Sequence, residues 1–523
     1  MQVSRWLKLG VSAGALSLGV SQAQAQGDAV APAPAPEVQD DTASIENGAD
    51  QSGEIVVTAQ RREERLRDVP LTVLAITGDD LAASGVTGSR DLQAVAPGVT
   101  ITSTGQYTQA TIRGVGSALT NGESPVSVYV DGVYFASQIF SVFDLLNVES
   151  IQVLKGPQGT LFGRNATGGA ILVTTRAPSN HFTGRITGSF GRFDDVRLGA
   201  YVSGPLTDTL SADLVASYHD DNGYTRDVLS DVRLSTYREY SVRGKLQWEP
   251  TDVTRFRLIA DWGVLQDSSG NTGRPIPGTL TSVAGALIPD DPLEVALSFT
   301  PYSRNRGGGV SFEATHEFTN MTFRSLTAYR STHHEGFSDQ DRTAAAVSRV
   351  QVEVDQDVFT QEATLASSNP GRFQWIAGVY YFREDRNSPT LSNGALVTDA
   401  TVDTSAYAGF GELTFNLTDR LKLIGGIRYS NEVGDIFQVR GSGNPLTFNG
   451  RVEFDAWTPR ASVVFALDSR SNVYATYSQG FKSGLINSTT FAGAPILPER
   501  LRAYEIGYKR SGGGLTFNLS GYY

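Results

Sequence analysis

From about residue 181 onward, apolar and polar residues alternate with a period of two over long stretches. In "TRFRLIADW", Phe256, Leu258, Ala260 and Trp262 share one face, and Arg255, Arg257 and Asp261 share the other. In "RLKLIGGIRYS", Leu421, Leu423, Ile427 and Tyr429 oppose Arg420, Lys422 and Arg428. "RFQWIAGVYY" places Phe373, Trp375, Ala377, Val379 and Tyr381 on one side. Such runs predict strands with one apolar face. A soluble sandwich would alternate too. Arginines on the second face, however, are costly in a dry core and easy to keep in a wet lumen.

The connections sharpen this. Short turns at Leu206–Thr209, Pro250–Val253, Phe318–Met321 and Leu417–Arg420 alternate with long segments at about 221–236, 265–306, 333–354, 384–404, 431–455 and 484–498. Short turns on one side and long loops on the other are the pattern of a membrane β-barrel. The chain holds about fifteen such strands. A plugged transporter barrel has 22 strands, so the sequence is expected to stop within its barrel.

Ahead of this region the pattern is mixed. "VPLTVLAIT" predicts a strand. "GDDLAASG" predicts a short helix with Asp79 or Asp80 near its start and Gly85 as its stop, and "SRDLQAVAPGV" a second one, capped by Ser89 and ended before Pro97. "ATIRGVG", "VSVYVDGVY" and "VESIQVLKG" predict strands, with Asp131-Gly132 as a hairpin turn. The glycine-rich "PQGTLFGRNATGGAILVTTRAP" ends in one more strand. Residues 66–178 are thus expected to form one α+β block.

The first 25 residues carry Arg5 and Lys8, an apolar run from Leu9 to Val20, and "AQA" at 23–25, which predicts a signal peptide cut before Gln26. Residues 26–53 hold six acids, no Lys or Arg and an Ala-Pro repeat, a composition expected to be an extended linker. The strand-former "EIVVTAQRR" (54–62) follows it. An extended peptide of this kind can bind by adding a strand to another protein's sheet edge.

Composition excludes several classes. The 523-residue chain has a net charge of −12, which argues against a nucleic-acid surface. It has no cysteine, so disulfides, thiol catalysis and zinc-thiolate sites are excluded. No catalytic constellation is visible. His333 and His334 are adjacent on an extended chain and point opposite ways, so no metal site is expected there. The glycines do not form a phosphate loop, since no "GK[ST]" follows them.

"VESIQVLKGPQGTLFGRNATGGAILVTTRAPS" resembles the plug signature of TonB-dependent outer-membrane receptors, and "DLQAVAPGVTI", "TIRGVGS" and "VYVDGVYF" match the same plug in the same order. "EIVVTAQRR" is similar to that family's TonB box. The resemblance implies a mainly β fold: a transmembrane antiparallel β-barrel over 181–523, C-terminally incomplete, around an N-terminal α+β plug. It places the chain in the outer membrane of a Gram-negative bacterium, bounded by lipid.

The resemblance also assigns roles. Glu54, Ile55, Val56, Val57, Thr58 and Ala59 would pair with TonB, which works with ExbB and ExbD in the inner membrane. Arg113, Lys155 and Arg164 of the plug would lock against the barrel carboxylate Glu505, with Lys155 or Arg164 as its expected partner. Lys155 stands where the family more often has arginine, and a lysine cannot form a bidentate fork. Gly114, Asp131, Gly132, Gly156, Gly163, Gly168 and Gly169 would serve tight turns or hinges. Tyr107 and Asn121 lie in plug loops expected to meet a small extracellular ligand. The family most often carries ferric siderophores, while relatives carry vitamin B12, haem, glycans or aromatic compounds. A passive porin would need neither plug nor box. A signalling receptor would need a folded domain before the box, which 26–53 is too short and polar to be.

Overall fold

A computed structural model describes residues 56–86, 88–104, 107–117, 124–137, 146–268, 272–275, 286–368, 371–441, 443–485, 488, 491–512 and 515–523. The signal-peptide and linker expectations, and Glu54, Ile55 and Asn121, lie outside them.

One antiparallel sheet runs from Thr183–Phe190 to Leu515–Tyr522, its strands following one another in chain order. It has seventeen strand segments. Phe373–Asn387 continues into Thr390–Ser392, and Leu446–Trp457 into Arg460–Ala466, each pair lying along a single neighbour. Fifteen staves therefore surround the plug, as the alternation predicts. Outward positions are apolar and exposed, among them Leu258, Trp262, Phe373, Trp375, Val379 and Ile427. Inward positions include buried Lys245, Arg428, Arg460 and Lys509, of which the alternation in the sequence places Arg428 on the polar face. Among the described residues no helix is long and apolar enough to cross a membrane, which says nothing about crossing with strands.

Several long outer segments are not loops. Ala395–Asn416 is one 22-residue strand, and Met321–Asp339 and Arg349–Ser367 reach to within a short connection of each other. Crossing hydrocarbon needs only about 9–11 strand residues. The ladders simply continue past the bilayer, where polar residues on both faces no longer mark a strand.

The plug is a five-segment mixed sheet with Val73–Thr77, Val148–Lys155, Gly169–Thr175, Val126–Val130 and Val133–Tyr134 in that spatial order. The first predicted helix is Gly78–Ala83, but its cap is Thr77, whose hydroxyl receives the Asp80 N–H in a capping box. The second is shorter than expected: a 3₁₀ turn at Ser89–Asp91 leads into a single helical turn, Leu92–Val95.

Two large apolar cores result, with three smaller clusters beside them among the described residues. One lies within the plug and gathers Ile76, Leu81, Leu92, Ile112, Ile151 and Val173. The other joins plug to wall, with Val57, Leu71, Tyr129, Leu161 and Phe162 against Val358, Ile376, Phe382, Ala406 and Phe410. The plug is thus packed dry against the wall from Arg349 to Asn416. Its contacts with the strands Ser471–Lys482 and Glu499–Gly512 are polar instead.

Candidate functional site

Arg113 sits in the turn after the strand Tyr107–Ile112, at φ +54, beside Gly114 at φ +78. The turn aims its guanidinium at the wall. Nη1 lies 2.8 Å from Glu505 Oε2, Nη2 donates to the Thr72 hydroxyl at 3.0 Å, and the plane sits 3.8 Å over the Tyr522 ring. Glu505 Oε1 also accepts from the Thr72 N–H at 2.9 Å and from the Tyr474 hydroxyl at 2.7 Å. Both charged side chains are about nine-tenths buried, so the pair is desolvated and needs its surrounding hydrogen bonds.

The expected pairing of Glu505 with Lys155 or Arg164 is therefore corrected. Lys155 Nζ donates to the Pro97 carbonyl at 2.6 Å and reaches no barrel carboxylate among the described residues. Burial, and then the nearby Arg113 charge, lower its pKa. Arg164 Nη2 lies 3.1 Å from a different wall carboxylate, Glu432, with its guanidinium 4.5 Å from the Phe382 ring. Strand parity shows that Glu505 faces inward, but not which plug cation the plug's fold delivers to it.

Asp131 is more than a turn residue. Its carboxylate faces Arg243 at 3.6 Å and Lys245 at 3.8 Å on the wall, and binds Thr175 within the plug. Lys245 in turn bonds the Thr175 hydroxyl and, at 2.8 Å, the Arg176 carbonyl, where the plug ends. Close by, Arg330 makes a two-pronged contact with Asp261 at 2.8 and 2.9 Å while lying 3.9 Å from the Phe135 ring.

Among the hinge candidates, Gly114, Gly132, Gly156, Gly163 and Gly169 have positive φ. Gly168 does not; its constraint is a close approach to the Val115 carbonyl, 3.1 Å from where a Cβ would stand. Tyr107 begins the strand that pairs with Val99–Thr104. The two histidines go separate ways, as their parity predicts: His333 to Asp355 and His334 to Asn305, each at 2.6 Å.

The described part of the segment that is similar to a TonB box, from Val56 on, is folded back. Val56-Val57 pairs antiparallel with Glu64-Arg65, and Val57 and Ala59 are fully buried. The Thr58 N–H donates to Gln152 at 3.0 Å. Arg61, at φ +59, contacts Glu362 of the wall, donates to the Leu161 carbonyl at 3.0 Å and stacks 4.9 Å from Phe162. Burial raises the pKa of Glu64 in the same turn. Arg61 was not singled out in the sequence; a basic pair closing "EIVVTAQRR" was the available sign.

A family model described as "TonB-dependent Receptor Plug Domain" matches residues 65–170, and one described as "TonB dependent receptor-like, beta-barrel" matches 247–523. Among curated proteins, the pesticin receptor of Yersinia pestis is 27% identical, over 92% of this chain and 72% of that protein. The rhizobactin receptor of Rhizobium meliloti is 24% identical, over 90% and 71%. Among solved structures, the ferric yersiniabactin uptake receptor FyuA from Yersinia pestis superposes with a TM-score of 0.76 at 25% identity, over 87% of this chain and 72% of that one. The ferric-catecholate import receptor Fiu of E. coli shares the fold, with a TM-score of 0.70 at 18% identity. A plug and a barrel matched in order along one chain leave a single assignment: this protein belongs to the TonB-dependent receptors, a family of outer-membrane β-barrels with an internal plug.

Proposed function

We propose that this chain takes up a ferric siderophore across the outer membrane, with plug movement driven by TonB together with ExbB and ExbD. The observation that carries the reading is a plug that meets the strands Ser471–Lys482 and Glu499–Gly512 through polar, separable contacts, with the segment 54–62 immediately before it. Hydrogen bonds and ion pairs on that side exchange for bonds to water when broken, so they hold the plug without welding it. The siderophore assignment rests on the relatives, whose names include pesticin, rhizobactin and pyoverdine receptors. Val56–Ala59 would add as a strand to TonB once the turn that now buries Val57 and Ala59 opens.

The test is uptake of radiolabelled iron by a strain lacking its own siderophore receptors, with and without the full-length gene. Ferric yersiniabactin is the first probe, since a similar structure belongs to its uptake receptor. Uptake that requires both the gene and TonB supports the reading. Equal uptake in a TonB-deficient strain overturns the energised step.

A further inference from the structure

Residues just after the box are gripped by the barrel through their main chain. Lys509 Nζ donates to the Leu66 carbonyl at 3.0 Å and the Val69 carbonyl at 2.7 Å. Asn472 Nδ2 donates to the Arg67 carbonyl at 2.8 Å, and the Thr476 hydroxyl to the Pro70 carbonyl at 2.7 Å. All three side chains are buried.

They belong to one patch. Asn472 is registered opposite Lys509, and Thr476 opposite Glu505, on the neighbouring strands Ser471–Lys482 and Glu499–Gly512. The two rows are four residues apart, so they share the inward face and stand about 13 Å from each other. The run from Leu66 to Thr72 lies across them, starting at the Lys509 row and ending at the Glu505 row. Its other side is anchored differently: Leu66, Val69 and Leu71 sink into the core shared with the dry wall.

This arrangement reads carbonyls, not side-chain identity, and its donors belong to the wall. A pull applied N-terminal to Val56 first opens the turn from Val56 to Arg65. Once the side-chain contact of Arg61 with Glu362 has given way, it meets the first run of main-chain carbonyls bonded in series to wall side chains. We propose that Lys509, Asn472 and Thr476 are positioning residues that form a load-bearing main-chain grip, setting the force at which the plug starts to leave the barrel. The proposal rests on the reading that the plug is pulled from its N-terminal side.

The test is single-molecule pulling of the full-length protein in a lipid bilayer, with the handle N-terminal to Val56 and neither TonB nor siderophore present. The extension before the rupture of the main-chain grip should end at Leu66, with the Arg61–Glu362 contact released earlier. Thr476→Val keeps the shape and removes the donor, leaving the Pro70 carbonyl unpaired; its opening rate extrapolated to zero force should rise about fivefold. Lys509→Met, which removes two donors, should raise it further. Thr476→Ser should restore the wild-type rate. Wild-type rates in both Thr476→Val and Lys509→Met, or a Thr476→Ser rate equal to that of Thr476→Val, would overturn the grip. If Lys509→Met fails to insert, the Val and Ser pair decides alone. Because the assay contains no TonB, loss of the uptake reading leaves its result standing, and the converse holds.

Discussion

The Asp131 carboxylate accepts two hydrogen bonds from Thr175, at 2.8 Å from its N–H and 2.7 Å from its hydroxyl, while Lys245 and Arg243 face it from the wall. Burial alone would raise its pKa, but the two cations and Thr175 outweigh burial and hold it below the ordinary value of 3.8. A depressed carboxylate stabilises the fold fully above its unfolded pKa and less as pH falls through the folded one. Asp131→Asn should therefore cost on the order of 3 kcal/mol at neutral pH, by leaving buried cations unpaired. The melting-temperature gap between wild type and variant should close as pH drops below about 3.8. A gap that stays constant down the acid range would remove the charge from the explanation.

Gly163 closes the single helical turn Gly159–Phe162 at φ +79 and ψ −133, a region few other residues adopt. A Cβ there would stand 2.7–2.8 Å from the Arg428 guanidinium, which stacks near Tyr380 and Phe410. Gly114 has nearly the same φ and nothing within 4 Å of its Cβ position. Gly114→Ala should cost the backbone strain alone, about 1–3 kcal/mol. Gly163→Ala should cost more, because Arg428 must also move. Thermal melts of the two variants check the ranking.

Much of this architecture was legible in the chain. Alternation around Phe256 or Phe373 fixes which face meets lipid, because a period of two leaves little freedom once one face is apolar. The same parity turns Glu505 inward. What parity cannot supply is the partner across the seam, since that depends on how the plug folds as a separate body. Arg113 reaches Glu505 only because its turn is in the left-handed region, and Lys155 is diverted to a carbonyl its own strand brings near. Asp131 reads as a turn former, and its ion pairs become visible only when Lys245 is seen to be buried. The grip on Leu66–Pro70 leaves no trace in the plug sequence, because carbonyls are the same in every residue.

The folded-back segment from Val56 to Arg65 makes two contributions separable. Val57→Pro removes a ladder donor and should abolish TonB-dependent uptake while siderophore binding at the cell surface is kept. Arg61→Ala removes the contact with Glu362 and the stack on Phe162, and should free the turn from Val56 to Arg65 without touching the strand itself. Limited proteolysis should then cut that turn faster in Arg61→Ala than in wild type. Normal uptake by Val57→Pro would reduce the segment to linker.

The pair between Arg113 and Glu505 can be tested as a seal. Glu505→Ala leaves the Arg113 guanidinium buried with the Thr72 hydroxyl and the Tyr522 ring but without its carboxylate. Removing one partner of a buried ion pair costs about 3–5 kcal/mol, enough to loosen one side of the plug. In the full-length protein, Glu505→Ala should raise the entry of bulky antibiotics while siderophore binding is largely kept. Arg113→Ala should do the same. The double variant should leak no more than either single one, because the first substitution already removes the interaction. Two features argue against a simple charge swap as rescue: Gly156 leaves Arg113 a slot in which a Cβ would stand 3.2 Å from Nη1, and Glu505 holds Thr72 and Tyr474 as well. The cycle of single and double alanine variants is the cleaner measurement. Leakage that adds in full across it would show that the two residues act independently, whatever their 2.8 Å separation.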